Sequence, residues 1–170
     1  MNTSFEKSAG RDEWLTPRHL IEALAPFDLD PCASIIQPWP TAAKTYTIHD
    51  NGLLKPWPKT DFVFMNPPYG TQTQKWMRRM AEHNNGIALT FARTETRMFF
   101  DSVWGKASAL LFLKGRLSFC DTAGSPGGTA GAPSVLIAYG QEARNRLLGC
   151  NLAGAYMEQT HIKEAASASA

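Results

Sequence analysis

The chain has 170 residues, of which 44% are hydrophobic and 19% charged, and its formal net charge is +2. This composition indicates one globular domain, and it excludes a disordered chain and a protein that holds nucleic acid by its overall charge. No apolar run reaches the length of a membrane span, and the polar start "MNTSFEKSAG" has no secretory-signal core. Three cysteines and four histidines without metal-ligand spacing predict reduced thiols, no metal site and a cytoplasmic location.

Apolar runs alternate with helical patterns along most of the chain. We expect residues 1–11 to be disordered, residues 12–158 to form one domain, and 159–170 to be a low-complexity tail. Predicted strands cover 27–30, 44–48, 61–65, 86–91, 108–113 and 133–140, and predicted helices cover 17–25, 72–84, 94–104 and 141–150. Almost continuously apolar strands between helices indicate an α/β fold with a mostly parallel sheet and helices on both faces. The Gly/Ala-rich stretch 120–133 is predicted to be a long mobile loop between two strands.

In the stretch "DFVFMNPPYG", a predicted buried strand is followed by residues with hydrogen-bonding and aromatic groups. Pro67 and Pro68 have no N–H to donate, so the strand ends in a stiff edge that is rich in carbonyl acceptors. The Asn66 amide oxygen and the Pro67 carbonyl could converge on one NH2 group. Tyr69 offers a flat ring for stacking, and Gly70 lets the chain turn away. Ligands of parallel sheets bind beyond the carboxyl ends of strands. The pattern therefore favours a pocket for a planar molecule that carries an amino group over a simple proline-terminated strand.

The motif Asn-Pro-Pro-Tyr resembles the catalytic motif of amino-group methyltransferases that use S-adenosylmethionine. DNA and RNA adenine methyltransferases share this motif with enzymes that methylate protein glutamine. Other segments occur in the order found in phage-type (Dam-like) DNA adenine methyltransferases. They are "DEWLTPRHLIEAL", "FDLDPCAS", "HDNGLLKPW", "FARTETRMFF", "FLKGRLSF" and "PSVLIAYG". The resemblance covers roughly residues 12 to 140 and implies a Rossmann-like class I methyltransferase fold.

The resemblance implies methyl transfer from S-adenosylmethionine to the 6-amino group of a flipped adenine in DNA, by in-line displacement. Asn66, Pro67, Pro68 and Tyr69 would form the catalytic motif, with Tyr69 stacked on the base. The resemblance also implies a biological role, the masking of phage DNA from host restriction. The alternatives are methylation of RNA adenine or protein glutamine, and a non-catalytic DNA-binding protein of the same fold.

The resemblance also implies a set of residues near S-adenosylmethionine. Asp30 would lie near the methionine or ribose end, although an Asp that starts a turn before proline explains it too. Thr16 and Pro17 would meet the methionine part, whereas a plain helix start, with Thr16 as the N-cap, accounts for them nearly as well. Asp50 would lie near the cofactor adenine, or it begins the Asp-Asn-Gly turn. The usual glycine loop of methyltransferases is absent after Asp30.

Five basic residues are candidates for DNA contacts. Lys75, Arg78 and Arg79 are three and four residues apart, so a helix would place them on one face near the pocket mouth. An ordinary solvated helix face is the alternative. Arg93 follows a predicted strand and would lie on the same rim as the catalytic motif. The resemblance makes Arg116 part of a DNA or pocket edge, and a β-turn is its alternative.

Overall fold

The computed structural model of the protein describes residues 14–158 and 162–163. The disorder predicted for 1–11 lies outside these residues, as does the tail predicted for 159–170 except 162–163. The strands are β1 (Leu29–Asp30), β2 (Lys44–Thr45), β3 (Val63–Met65), β4 (Gly86–Phe91), β5 (Ala109–Leu113), β6 (Ser118–Cys120), β7 (Pro126–Thr129), β8 (Ser134–Tyr139) and β9 (Gly154–Glu158). The helices are α1 (Arg18–Leu24), α2 (Thr73–His83), α3 (Arg97–Ser102) and α4 (Gln141–Gly149). Across the described ranges, no helix is long and apolar enough to cross a membrane.

One mixed sheet organises the fold, with the strand order β2-β1-β3-β4-β8-β5-β9. The pairs β2–β1, β1–β3 and β3–β4 are parallel, whereas β4–β8, β8–β5 and β5–β9 are antiparallel. Strands β2, β1, β3, β4 and β5 therefore run in one direction, as a mostly parallel sheet predicts, whereas β8 and β9 run opposite to them. The reason is that the chain returns after β5 through a hairpin, and an antiparallel neighbour needs no helical crossover.

Helices cover both faces of the sheet, as predicted. On one face, Leu20 of α1 and Leu147 of α4 pack against sheet residues such as Leu136. On the other face, Met77 of α2 and Phe99 of α3 pack against the alternate side chains of the same strands. Apolar side chains on both faces explain why these strands appear as continuous apolar runs in the sequence.

The predicted mobile loop at 120–133 is instead half of a β-hairpin. Strands β6 and β7 pair antiparallel, and Leu15 and Cys120 exchange backbone hydrogen bonds of 2.8 and 2.9 Å. The prediction was wrong because glycine here serves close packing. A Cβ on Gly127 would lie 2.2 Å from the Trp14 ring. Strand β9 was also missed, because it is mostly exposed and lacks an apolar run.

The start of α1 differs from the prediction as well. The helix begins at Arg18 and its N-cap is Pro17, which makes no side-chain capping hydrogen bond. Thr16 is therefore not the N-cap. Its hydroxyl group reaches across the fold to the end of β3, where it takes part in the site described next.

Candidate active site

Three neighbouring parallel strands end at the same edge of the sheet. These are β1, which ends at Asp30, β3, which ends at Met65, and β4, which ends at Phe91. A cleft of about 1840 Å³ lies at this edge. Its walls include Thr16, Asp30, Cys32, Gln37, Thr47, Asn66, Pro67, Tyr69, Phe91 and Arg93. The topology thus brings together residues that the sequence places in separate segments.

Asn66 is held at the end of β3 by contacts from two other segments. Its side-chain Nδ2 donates to Thr16 Oγ1 at 3.1 Å, and the Cys32 thiol donates to its backbone carbonyl at 3.3 Å. Its Oδ1 lies 3.5 Å from the Tyr69 hydroxyl. Burial and the neighbouring Asp30 carboxylate raise the pKa of Cys32, so the thiol keeps its proton. Thr16 therefore holds the side-chain amide at Nδ2 and Cys32 holds the backbone, in a half-buried position.

The two prolines differ in their surroundings. Pro67 is buried and lines the cleft, whereas Pro68 is exposed. The Pro68 carbonyl accepts a 2.8 Å hydrogen bond from the hydroxyl of Thr73, the first residue of α2. Gly70 has a φ of 127°, which side chains rarely allow, and turns the chain toward α2. This turn joins the Asn-Pro-Pro-Tyr motif to the helix that follows it.

Tyr69 belongs to an aromatic cluster at the cleft. Its ring stacks on Phe91 at a centroid distance of 4.2 Å and an interplanar angle of 21°. Phe119 of the hairpin approaches it edge-on at 6.5 Å. The side chain remains 40% exposed, so Phe91 supports Tyr69 while part of its surface is open to the cleft. Sequence reasoning missed Phe91, although an aromatic residue at the end of a strand beside Asn66 could have indicated it.

Asp30 is a buried carboxylate in the cleft wall. It is 3% exposed, accepts from the Cys32 backbone N–H at 3.0 Å, and accepts from the Thr41 hydroxyl at 2.6 Å. Burial raises the pKa of Asp30 to about 6, and the hydrogen bonds from Thr41 and Cys32 offset only part of that rise. The carboxylate therefore stabilises the segment that follows β1 through these two hydrogen bonds. It carries a negative charge at neutral pH.

The raised pKa of Asp30 predicts a pH-dependent stability. Because the folded protein binds this proton more tightly than the unfolded chain, stability is greatest below the ordinary pKa and falls as pH rises through about 6. We expect the free energy of unfolding to lose about 1 kcal/mol between pH 5 and pH 7 from this group. The variant Asp30→Asn does not titrate and should lack this part of the loss. Urea unfolding at both pH values measures it, and an identical pH dependence in both proteins would contradict it.

Asp50 is not among the described residues that line the cleft, and its carboxylate binds within its own loop. Its Oδ2 accepts from the Thr47 backbone N–H at 2.9 Å and from the Thr47 hydroxyl at 3.1 Å. These hydrogen bonds lower the pKa of Asp50. The cleft wall at this loop consists of Thr47, Ile48, Asn51 and Gly52. These contacts close a turn from Thr47 to Asp50, ahead of the Asp-Asn-Gly turn considered as the alternative, and they shape a loop that lines the cleft.

The five predicted DNA-contacting residues fall into different environments. Lys75 and Arg78 are exposed and line the cleft. Arg93 is also exposed, and its guanidinium lies 5.9 Å from the centre of the Phe91 ring. Arg116 is exposed next to the hairpin and is not among the described residues that line the cleft.

Arg79 differs from its helix neighbours because its guanidinium binds the protein itself. It donates to the backbone carbonyls of Gly52, Leu53 and Lys55, and it lies 4.5 Å from the centre of the Trp57 ring. The prediction that Lys75, Arg78 and Arg79 share one solvent face therefore does not describe the side chains. Arg79 joins α2 to the loop that lines the cleft.

The cleft residues fit the cofactor that the sequence resemblance implies. A sulfonium compound is cationic, and the Asp30 carboxylate supplies a negative charge in the wall. Gln37 Nε2 is buried and, within the described ranges, has no hydrogen-bond partner, so it can donate to an acceptor on a ligand. Sequence reasoning missed Gln37. In the part of the chain that the structure describes, no group of three or more His, Cys, Asp or Glu residues could hold a metal ion.

The chain is similar in sequence to known proteins. The family model described as DNA N-6-adenine-methyltransferase (Dam) matches residues 3–148. The chain is similar to a DNA N-6-adenine-methyltransferase of Escherichia phage T1, with 30% identity over 117 residues. The alignment covers 65% of this chain and 48% of that protein, so the chain spans about half the length of this curated relative. No solved structure matches the chain.

Proposed function

Because this chain belongs to the DNA N-6-adenine-methyltransferase (Dam) family, we propose that it transfers a methyl group from S-adenosylmethionine to the 6-amino group of adenine in DNA. The observation that carries the proposal is the placement of Asn66 and Tyr69 together at the cleft, at the end of β3. The proposal includes a Rossmann-like class I methyltransferase fold. This is supported by the α/β sheet with its ligand cleft at the carboxyl ends of β1, β3 and β4.

The adenine pocket follows from the acceptors and rings at the end of β3. Asn66 Oδ1 and the Pro67 carbonyl would accept the two hydrogens of the amino group. This draws the nitrogen lone pair out of conjugation with the ring and toward the methyl donor. Tyr69, supported from behind by Phe91, would stack on the base, which must leave the duplex to reach this pocket. Positioning and hydrogen bonding would then carry the reaction, and the methylated nitrogen would lose one of its two hydrogens as a proton to solvent, with no separate general base assigned.

The cofactor side of the cleft would be formed by Asp30, Gln37 and the loop from Thr47 to Gly52. When bound, S-adenosylmethionine supplies a methyl group activated by the neighbouring sulfonium charge. Asp30 would favour that positive charge, and Gln37 Nε2 would donate to an acceptor of the cofactor. Asp50 would act by holding the loop through Thr47. Pro17 is buried at the N-cap of α1 and is not among the described residues that line the cleft, so it would fix the start of α1 and would not touch the cofactor.

Lys75, Arg78, Arg93 and Arg116 would contact DNA phosphates around the cleft. Three of them line the cleft, and Arg116 lies next to the hairpin whose Phe119 touches Tyr69. A net charge of +2 offers little long-range attraction, so local cations must neutralise the phosphates. In the host cytoplasm, methylation by this surface and pocket would mask phage DNA from restriction.

Arg78 and Arg79 form a matched pair of adjacent arginines with different expected effects. Arg78→Ala should weaken DNA binding on all sequences and reduce the slope of log affinity against log salt by about 1, because each duplex phosphate contact contributes about 0.9. Arg79→Ala should leave that slope unchanged. It should instead lower the free energy of unfolding by about 1–2 kcal/mol, because three backbone carbonyls and the Trp57 ring lose a cation. Equal salt slopes for Arg78→Ala and the unmodified protein would exclude this contact.

The proposed function is tested by incubating the protein with S-adenosylmethionine that carries a tritiated methyl group. Duplex DNA, single-stranded DNA, RNA and protein are offered separately, and the methylated base or side chain is identified. We expect N6-methyladenine in DNA. Label in RNA or in protein glutamine would replace the proposal by one of those activities. Cofactor and DNA binding without transfer to any substrate would indicate a non-catalytic DNA-binding protein.

A further inference from the structure

Thr16 occupies a rigid position against the catalytic motif. The residue before it, Leu15, is fixed by two backbone hydrogen bonds to Cys120, and the residue after it is the N-cap of α1. Thr16 itself is 3% exposed. Its hydroxyl oxygen lies 3.1 Å from Asn66 Nδ2, although 50 residues separate the two in the chain. The hydroxyl is thus a preformed partner for one end of the catalytic amide.

The orientation of this amide decides whether it can accept a hydrogen from a substrate. An asparagine side chain has one accepting end, Oδ1, and one donating end, Nδ2. An amide turned by half a rotation would direct Nδ2 at the amino group of the base, and two donors would oppose each other. The torsion that interchanges the two ends is soft and roughly two-fold. In the productive orientation Nδ2 points away from the base, and this donor then needs an acceptor in the protein.

We propose that Thr16 is a positioning residue for Asn66: its hydroxyl accepts from Nδ2 and, together with the Tyr69 hydroxyl 3.5 Å from Oδ1, holds the amide with Oδ1 directed toward the amino group to be methylated. This inference rests on the proposed function, because it assumes that Asn66 accepts from an amino group. It differs from the sequence-based expectation, which placed Thr16 against the cofactor. The observed hydrogen bond supports the contact with Asn66, and helix capping does not compete for the hydroxyl, since α1 has no side-chain cap.

The first test compares Thr16→Val with Thr16→Ser. Valine keeps the shape of threonine without the hydroxyl, whereas serine keeps the hydroxyl. We expect Thr16→Val to lower the single-turnover rate about 10- to 100-fold, the size of effect that small misplacement of a reacting group can cause. Thr16→Ser should restore most of the rate. Calorimetry should show the same affinity for S-adenosylmethionine in both variants, and thermal unfolding confirms that both are folded.

The second test places Thr16→Val in an Asn66→Asp background. A carboxylate has two accepting oxygens, so it has no unproductive orientation. If Thr16 acts by orienting the amide, its replacement should cost several-fold more in the protein that retains Asn66 than in the variant Asn66→Asp. A cost of equal size in both backgrounds would show that Thr16 and Asn66 act independently.

The outcomes separate this inference from the proposed function. If the unmodified protein methylates no adenine in DNA, the proposed function fails before any variant is compared. If it does methylate adenine and Thr16→Val is as fast as the unmodified protein, only the role of Thr16 is overturned. Loss of cofactor affinity in Thr16→Val would also overturn it and would assign Thr16 to the cofactor. If Asn66→Asp is too slow to measure, the comparison of valine with serine decides.

Discussion

Replacing Asn66 with alanine should lower turnover by about 10²–10³-fold, the usual effect of removing one preorganised hydrogen-bond acceptor or donor from a reacting group. The amide is held on one side by Thr16 and through its backbone by Cys32, so it is oriented before any substrate arrives. Alanine removes the side-chain acceptor and leaves the Pro67 carbonyl alone to accept from the amino group. Single-turnover methylation of adenine-containing DNA measures the effect.

The affinity for S-adenosylmethionine is the control measurement for the Asn66 variants. Calorimetric affinity for S-adenosylmethionine should not change in Asn66→Ala, because the proposed role of the side chain is toward the base. Asn66→Asp should keep part of the activity, since a carboxylate still accepts hydrogen bonds. An alanine variant that methylates DNA at the full rate would remove Asn66 from the reaction.

Replacing Tyr69 with alanine should weaken binding of the extruded base by about 1–3 kcal/mol, as for other base-stacking aromatic residues. This corresponds to a loss of affinity for the base of roughly 5- to 150-fold. The ring is already stacked on Phe91 and remains 40% exposed, so a base can add to an existing aromatic pair. Tyr69→Phe should keep most of the activity because it keeps the ring. Its hydroxyl lies 3.5 Å from Asn66 Oδ1, which is a long contact.

Single-turnover rates and DNA affinities of the two Tyr69 variants should be measured side by side. Phe91→Leu serves as a further comparison. It removes the supporting ring but leaves Tyr69 in place, so its effect should fall between those of the Phe and Ala variants at Tyr69. Equal rates for Tyr69→Phe and Tyr69→Ala would assign the ring a purely structural role.

Local patterns in the sequence were sufficient for the main elements and for the place of the Asn-Pro-Pro-Tyr motif at a strand end. An apolar run followed by Asn66 and two prolines predicts a buried strand with acceptors at its end, and β3 ends at Met65 as that pattern requires. Trp76 and Met80 of α2 are both buried, as helical spacing requires of residues four apart that share one face. These predictions succeed because their causes lie within a few residues of one another.

Only the tertiary structure decided which partner each side chain at the site contacts. Arg78 and Arg79 are equivalent by sequence, but the carbonyls of Gly52 and Leu53, 27 and 26 residues away, capture one of them. The hydroxyl of Thr16 meets Asn66 across 50 residues of chain, where a local pattern predicts only a helix cap. In the hairpin at 118–129, Gly127 lies so close to the Trp14 ring that a Cβ there would be 2.2 Å from it. The contacts of such side chains depend on partners that only folding brings close. The neighbouring residues in the sequence do not indicate which partners these are.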